Sequence, residues 1–142
     1  MLQKVQNINM KTNSKTKTVS AKYTFAVGRR KSASARVRLY KGTGENTVNG
    51  KKAVGLSLDK PFKLTDTLGK FFFTAKVAGG GVEGQMEAII HGLSRALVKL
   101  DSDKFRPTLK KAGLLTRDAR TRLRRMVGTG GKARRKKQSP KR

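Results

Sequence analysis

From Tyr23 onward the chain alternates. Tyr23, Phe25 and Val27 take turns with Lys22, Thr24 and Ala26, the period-two pattern of a strand with one face on a core. Gly28-Arg29-Arg30-Lys31-Ser32 interrupts it with three adjacent cations, and a second alternation follows. There Ala33, Ala35, Val37 and Leu39 share one face and Ser34, Arg36, Arg38 and Tyr40 the other, so Arg36 and Arg38 stand side by side away from the core. Gly42-Thr43-Gly44 marks a turn, Asn46 to Val48 a short strand, and Asn49-Gly50 is the strongest two-residue hairpin signal. Lys51 to Leu58 shows no readable period. Asp59 can cap a short helix that has Pro61 in its first turn and ends at Gly69, which turns Phe62, Leu64 and Leu68 inward.

A fourth strand is expected where Phe71, Phe73, Ala75 and Val77 alternate with Phe72, Thr74 and Lys76. Core packing accounts for its aromatics, and base stacking by an exposed Phe72 is the minor reading. Gly79-Gly80-Gly81 then leads into the longest helical pattern, about Val82 to Leu100. Met86, Ile89, Ile90, Leu93, Leu97 and Leu100 form its apolar stripe, while Glu87, His91, Arg95 and Lys99 line another face. Gly92 within that helix costs roughly 1 kcal/mol against Ala, which implies a close neighbour. Pro107 suits the first turn of a last short helix that Gly113 closes. Four strands and several helices in 142 residues make one small α/β (α+β) domain.

Charge decides what such a domain is for. The net charge is +27, and a field of that size favours phosphate backbones or anionic membranes. No apolar run approaches the ~20 residues of a span, and the basic segments lack an apolar companion face, so nucleic acid is the expected partner and a membrane is not. With no Cys and one His, a disulfide scaffold and a Cys/His zinc site are both excluded. Residues 1–21 use Lys4, Lys11, Lys15 and Lys17 among Asn, Thr and Ser and carry no acid. They read as a flexible basic extension, and a solvated terminus fits them as well as RNA contact does.

The other end is more extreme. Thr116 to Arg142 holds Arg117, Arg120, Arg122, Arg124, Arg125, Lys132, Arg134, Arg135, Lys136, Lys137, Lys141 and Arg142 against a single acid, Asp118. It has too little apolar surface to offset the entropy of ordering itself. Residues 22–115 are therefore expected to form the globular body and 116–142 an extended basic arm that orders against a polyanion. The body contributes further cations: Arg29, Arg30 and Lys31 with Arg36 and Arg38 as one patch, then Arg95, Lys110 and Lys111.

Catalytic readings fail one by one. Gly79 to Gly84 fits G-x-G-x-x-G with Asp101 at a suitable distance, but Asp101 ends a helix where the dinucleotide fold needs a strand end. The glycines fit a tight strand-to-helix turn whose N–H groups can meet an RNA phosphate. Gly130-Gly131-Lys132 lacks a P-loop's first glycine, because Met126 stands there, and its Ser or Thr, because Ala133 does. The acids are scattered, and His91 on its polar row reads as a hydrogen-bonded structural residue or an RNA contact. Neither an enzyme nor a cofactor is expected.

Several blocks together resemble the bacterial type of the small-subunit ribosomal protein nine family. Gly28-Arg29-Arg30-Lys31-Ser32 with Ala35-Arg36-Val37 resembles its opening block. Val77-Ala78-Gly79-Gly80-Gly81, Gly84-Gln85 and the run Ala88 to Leu97 resemble its strand, glycine turn and long helix. The run Leu109 to Arg120 is the most specific, and Lys132 to Arg135 with Lys141-Arg142 completes the order from Tyr23 to the end. The resemblance implies a mixed four-stranded sheet carrying helices and a left-handed βαβ crossover. It also implies a place in the head of the small ribosomal subunit, among neighbouring small-subunit proteins, with the arm reaching the peptidyl-tRNA site.

Carried over by position, Arg117, Arg120, Arg124, Arg125, Arg134 and Arg135 would follow ribosomal RNA, and Lys141 and Arg142 would meet the anticodon stem-loop of tRNA. Three departures from the family pattern stand out. Gly50 to Leu64 is shorter than usual, so a helix common there is expected to be absent or replaced by loop. Leu123 replaces a common acid, and Gln138-Ser139-Pro140 replaces an ending with an aromatic. A histone-like DNA compactor explains the charge but not the ordered blocks, and a nucleotide-binding enzyme rests on Gly79 to Gly84 alone.

Overall fold

The computed structural model describes residues 22–53 and 57–128. Among them the strands are β1 (Tyr23–Arg30), β2 (Ala33–Lys41), β3 (Thr47–Val48), β4 (Lys51–Lys52) and β5 (Phe71–Ala78). The helices are α1 (Lys60–Leu64), α2 (Val82–Leu100) and α3 (Ser102–Lys111). The described strands form one mixed five-stranded sheet in the order β1-β2-β5-β3-β4, antiparallel except for the parallel β3–β5 pair. The extra strand over the expected four is β4. It pairs because the Asn49-Gly50 turn, with φ of 51° and 80°, folds the chain straight back, and two exposed lysines give no hydrophobic period by which to see it.

Asparagine side chains finish the short β3 edge. The β5 N–H groups of Phe73 and Val77 donate to Asn46 Oδ1 (3.1 Å) and Asn49 Oδ1 (2.8 Å), and Asn49 Nδ2 returns a bond to the Val77 carbonyl (3.1 Å). Amide side chains thereby continue a backbone ladder that β3 is too short to supply.

The core lies between one sheet face and α2. Val37, Leu39, Phe73, Leu93, Leu97 and Leu109 are fully buried there. On β1 the expected face is inverted: Ala26 and Gly28 point inward, while Tyr23 and Phe25 are 48% and 41% exposed. Closeness of the helix is the reason. A Cβ at Gly28 would lie 1.9 Å from the Ala88 carbonyl oxygen and 2.4 Å from the Gly92 nitrogen, and one at Gly92 would lie 2.7 Å from Val37 Cγ2. Gly84, Ala88, Gly92 and Ala96, four residues apart, form the buried ridge of α2 that sits on the sheet. That contact is the close neighbour the sequence implied for Gly92.

Two helix boundaries also differ from expectation. A short α1 does form, but it stops at Leu64, Asp59 makes no side-chain cap, and Leu64 and Leu68 are exposed while Pro61, Phe62 and Thr67 are buried. The left-handed Asp66, at φ 50°, turns the chain before Gly69 is reached. Helix α3 starts five residues before Pro107, capped by Asp101, whose carboxylate accepts from the Lys104 N–H at 3.3 Å. The cap supports the earlier turn, so Pro107 sits inside the helix. Gly113 closes it in a Schellman arrangement: Leu114 N–H reaches the Leu109 carbonyl (3.1 Å) and Gly113 N–H the Lys110 carbonyl (3.0 Å).

Candidate nucleic-acid interface

One end of the sheet gathers residues that are far apart in the chain. The β1–β2 hairpin turns there on Lys31, at φ 51°, leaving Arg29 and Lys31 exposed. Against it lies the Gly79–Gly81 turn that feeds α2. Gly79 and Gly80 have φ of 76° and 67°. A Cβ on Gly79 would meet the Ser32 carbonyl at 2.6 Å, so only glycine lets this turn rest on the hairpin. All three glycines are exposed, and Gln85 Nε2 holds the Gly79 carbonyl at 3.1 Å.

Arg30 behaves differently from its neighbours. Its side chain is only 15% exposed, paired with Glu87 on α2 and, at 2.8 Å, with Asp118. Asp118 also takes a two-pronged contact from Arg120: the guanidinium Nη2 lies 2.6 Å from Oδ2, and the backbone N–H donates to Oδ1 at 2.9 Å. The Arg120 side chain first, then its backbone N–H, hold the Asp118 carboxyl well below the usual carboxylate range, with Arg30 adding to the effect. The lone acid of the basic C-terminal stretch thus pins the start of that stretch to β1 and α2. Arg30 is a structural clasp here, and Arg29 and Lys31 remain the outward cations.

His91 supports the same junction. Its Nδ1 faces the Arg29 N–H at 3.4 Å, and it also bonds the backbone of Leu115. Desolvation pushes its pKa below the ordinary value, and the charge of Arg95 assists. A histidine neutral in the fold but able to protonate when unfolded costs stability as acid is added, because the unfolded chain then binds more protons. Stability is therefore expected to fall as pH drops through the unfolded histidine value of about 6.5. His91→Gln is expected to flatten that slope. Urea midpoints at pH 7.5 and 5.5 check it, and an unchanged slope would contradict the assignment.

Arg36 and Arg38 are exposed on the sheet face opposite α2, where register also places Arg29, one row beyond Val27 and Arg36. The remaining expected site residues lie elsewhere. Arg95 lends Nη1 to the Val27 carbonyl at 2.5 Å on the outer edge of β1. Lys110 and Lys111 are exposed in the last turn of α3. Arg117, Arg120, Arg124 and Arg125 are exposed along a segment without helix or strand. Lys132, Arg134, Arg135, Lys136, Lys137, Lys141 and Arg142, and the extension 1–21, lie outside the described residues.

Sequence pattern assigned Glu87 and Asp118 no part in the site, although one acid in a cationic run was a usable signal. Phe72 stacks on Tyr40, centroids 4.9 Å apart and planes at 11°. Among the described residues no group of three or more acids and histidines is placed to hold a metal, and no helix is long and apolar enough to cross a membrane.

This arrangement of hairpin cations, glycine turn and long helix spans the blocks that a family profile also matches. The profile described as ribosomal protein S9/S16 covers residues 28–142. The chain belongs to the ribosomal protein S9 family. It is 49% identical over 121 residues to the small ribosomal subunit protein uS9 of Maridesulfovibrio salexigens, covering 80% of this chain and 92% of that one. Against uS9 of Anaeromyxobacter sp. it is 48% identical over 115 residues, 75% and 88% of the two chains. Against uS9 of Desulfovibrio desulfuricans it is 45% identical over 118 residues, 78% and 90%. Membership makes it a structural ribosomal protein of the small subunit and not an enzyme, which removes both rival readings.

Proposed function

We propose that the protein is held in the head of the small subunit by ribosomal RNA bound at the basic sheet end, and that its C-terminal arm runs on to the peptidyl-site tRNA. It works in the cytoplasm, beside neighbouring small-subunit proteins. One observation carries the RNA reading: Arg29, Lys31, the exposed glycine turn and the start of the basic stretch converge on one end of the sheet although they are spread from residue 29 to residue 120. In this reading residues 22–115 are the body and 116–142 the arm. The left-handed crossover implied by the resemblance is the β3–α1–β5 connection.

Binding is electrostatic and positional. Lys and Arg displace counterions from phosphates, and such contacts fix placement without reading sequence. Arg117, Arg120, Arg124, Arg125, Arg134 and Arg135, with Lys110, Lys111, Lys132, Lys136 and Lys137, follow ribosomal RNA. Lys141 and Arg142 meet the tRNA. The planar guanidinium fork suits fixed phosphate contacts better than an ammonium does.

The clasp dictates which variant tests this. Arg30 is left intact because its loss would unpair Glu87 and Asp118. Arg29→Ala with Lys31→Ala is expected to lose to wild type in competitive incorporation into subunits by about tenfold, at roughly 1 kcal/mol or less per phosphate contact. Equal incorporation would overturn the assignment of this end to RNA.

A further inference from the structure

Among the described residues no helix packs on the sheet face opposite α2. By register, its outward side chains fall in cross-strand rows. Tyr23, Tyr40 and Phe72 form one row, Phe25, Arg38 and Thr74 the next, and Val27, Arg36 and Lys76 a third. Strands β1, β2 and β5 contain no acid. None of Arg36, Arg38 and Lys76 forms an ion pair among the described residues. A half-apolar, wholly cationic sheet face is unusual for a surface meant only for water.

The aromatic row is closed at one end and open at the other. Phe72 is covered on one side by Tyr40, and Gly44 lies so close that a Cβ there would come within 2.7 Å of the Phe72 ring. Tyr23 tilts against Tyr40 at 5.7 Å, and the Arg38 guanidinium stands 5.2 Å from the Tyr23 ring centre. Phe25 beside it is 41% exposed. A planar group entering from the β1 edge would find the Phe25 ring and the Arg38 plane side by side, with Arg36 and Lys76 one row further on.

We propose that this face is a second RNA contact, one that takes unpaired bases rather than duplex backbone. It rests on the ribosomal-RNA reading above and adds to it the kind of RNA bound. Bases stack on Phe25 and Tyr23, while Arg36, Arg38 and Lys76 hold the flanking phosphates. Stacking of single-stranded bases on aromatic side chains within a positive groove is a sequence-tolerant mode of binding. An acidic protein segment would find the charges, but the negative faces of the rings repel its carboxylates.

The chain supplies its own reporter. It has two tyrosines and no tryptophan, and both tyrosines lie in this row. Full-length protein is titrated with a single-stranded adenosine oligonucleotide of about 12 residues, within the usual site size, and with an RNA duplex of equal length. The single strand is expected to quench tyrosine fluorescence, and the duplex to bind without quenching. Phe25→Leu keeps apolar bulk on a half-exposed site and is expected to weaken single-strand binding about fivefold or more, with duplex binding unchanged. Lys76→Gln, which leaves every ring in place, is expected to lower the single-strand salt slope by about 0.7.

Equal quenching by both RNAs, or no effect of Phe25→Leu, would overturn the stacking face while the sheet-end contact stands. Equal quenching by a glutamate-rich peptide would assign the face to a protein neighbour. Failure of both RNAs to bind would bring down the ribosomal-RNA reading as well.

Discussion

Gly28→Ala is expected to destabilise the protein by about 3 kcal/mol or more, at or beyond the upper end of overpacking costs. Nothing near the new methyl can yield by rotating a side chain. Its three nearest atoms are the Ala88 carbonyl oxygen at 1.9 Å, the Gly92 nitrogen at 2.4 Å and the Gly92 Cα at 2.9 Å, all backbone of α2. The helix would have to lift away from β1, opening the layer that Val37, Ala88 and Leu93 now fill. Gly81→Ala is the control, since a Cβ there meets nothing within 4 Å and its φ is ordinary. It is expected to stay within about 0.5 kcal/mol of wild type. Urea unfolding of the full-length variants measures both, and a loss under about 1 kcal/mol at Gly28 would mean the sheet and helix slide more freely than close packing allows.

Ending the chain after Gly128 is expected to have the larger effect on binding. It removes Lys132, Arg134, Arg135, Lys136, Lys137, Lys141 and Arg142 and no acid. Every phosphate that is no longer neutralised lowers the slope of log affinity against log salt by about 0.7 to 0.9, so the RNA slope becomes shallower by up to about 6 units. The clasp of Arg30 on Asp118 lies wholly within the retained chain, so the body keeps its melting point. Subunits carrying the shortened protein are expected to release peptidyl-site tRNA faster. An unchanged salt slope with unchanged tRNA release would refute the role given to the arm.

Local pattern read much of the fold correctly where a single face met a single core. Strand β2 alternates as its sequence does, because it is central and α2 covers one side of it. Helix α2 begins and ends where its pattern begins and ends. On β1 the pattern misled. Bulky Tyr23 and Phe25 looked like core, yet the space beneath α2 admits only Ala26 and Gly28. Hydrophobicity ranks what gains from burial, but the distance between two backbones decides what fits. The site was legible in part for the same reason. Arg29, Arg30 and Lys31 are adjacent and look alike in sequence, whereas burial and two carboxylates make Arg30 a strut and leave the other two facing solvent.

The sequence alone determined the charge, the alternation of the central strand, the long helix with its glycine, and an ordered set of blocks that marks the family. Those are properties of composition and of short-range period, and they survive without coordinates. Tertiary structure decided which face of β1 turns inward, that Asp118 ties the basic stretch to the body, and that aromatic and cationic rows share the sheet face opposite α2. Each of these depends on partners dozens of residues away, brought within a few ångströms by the packing of α2 on the sheet, which period in the chain does not encode.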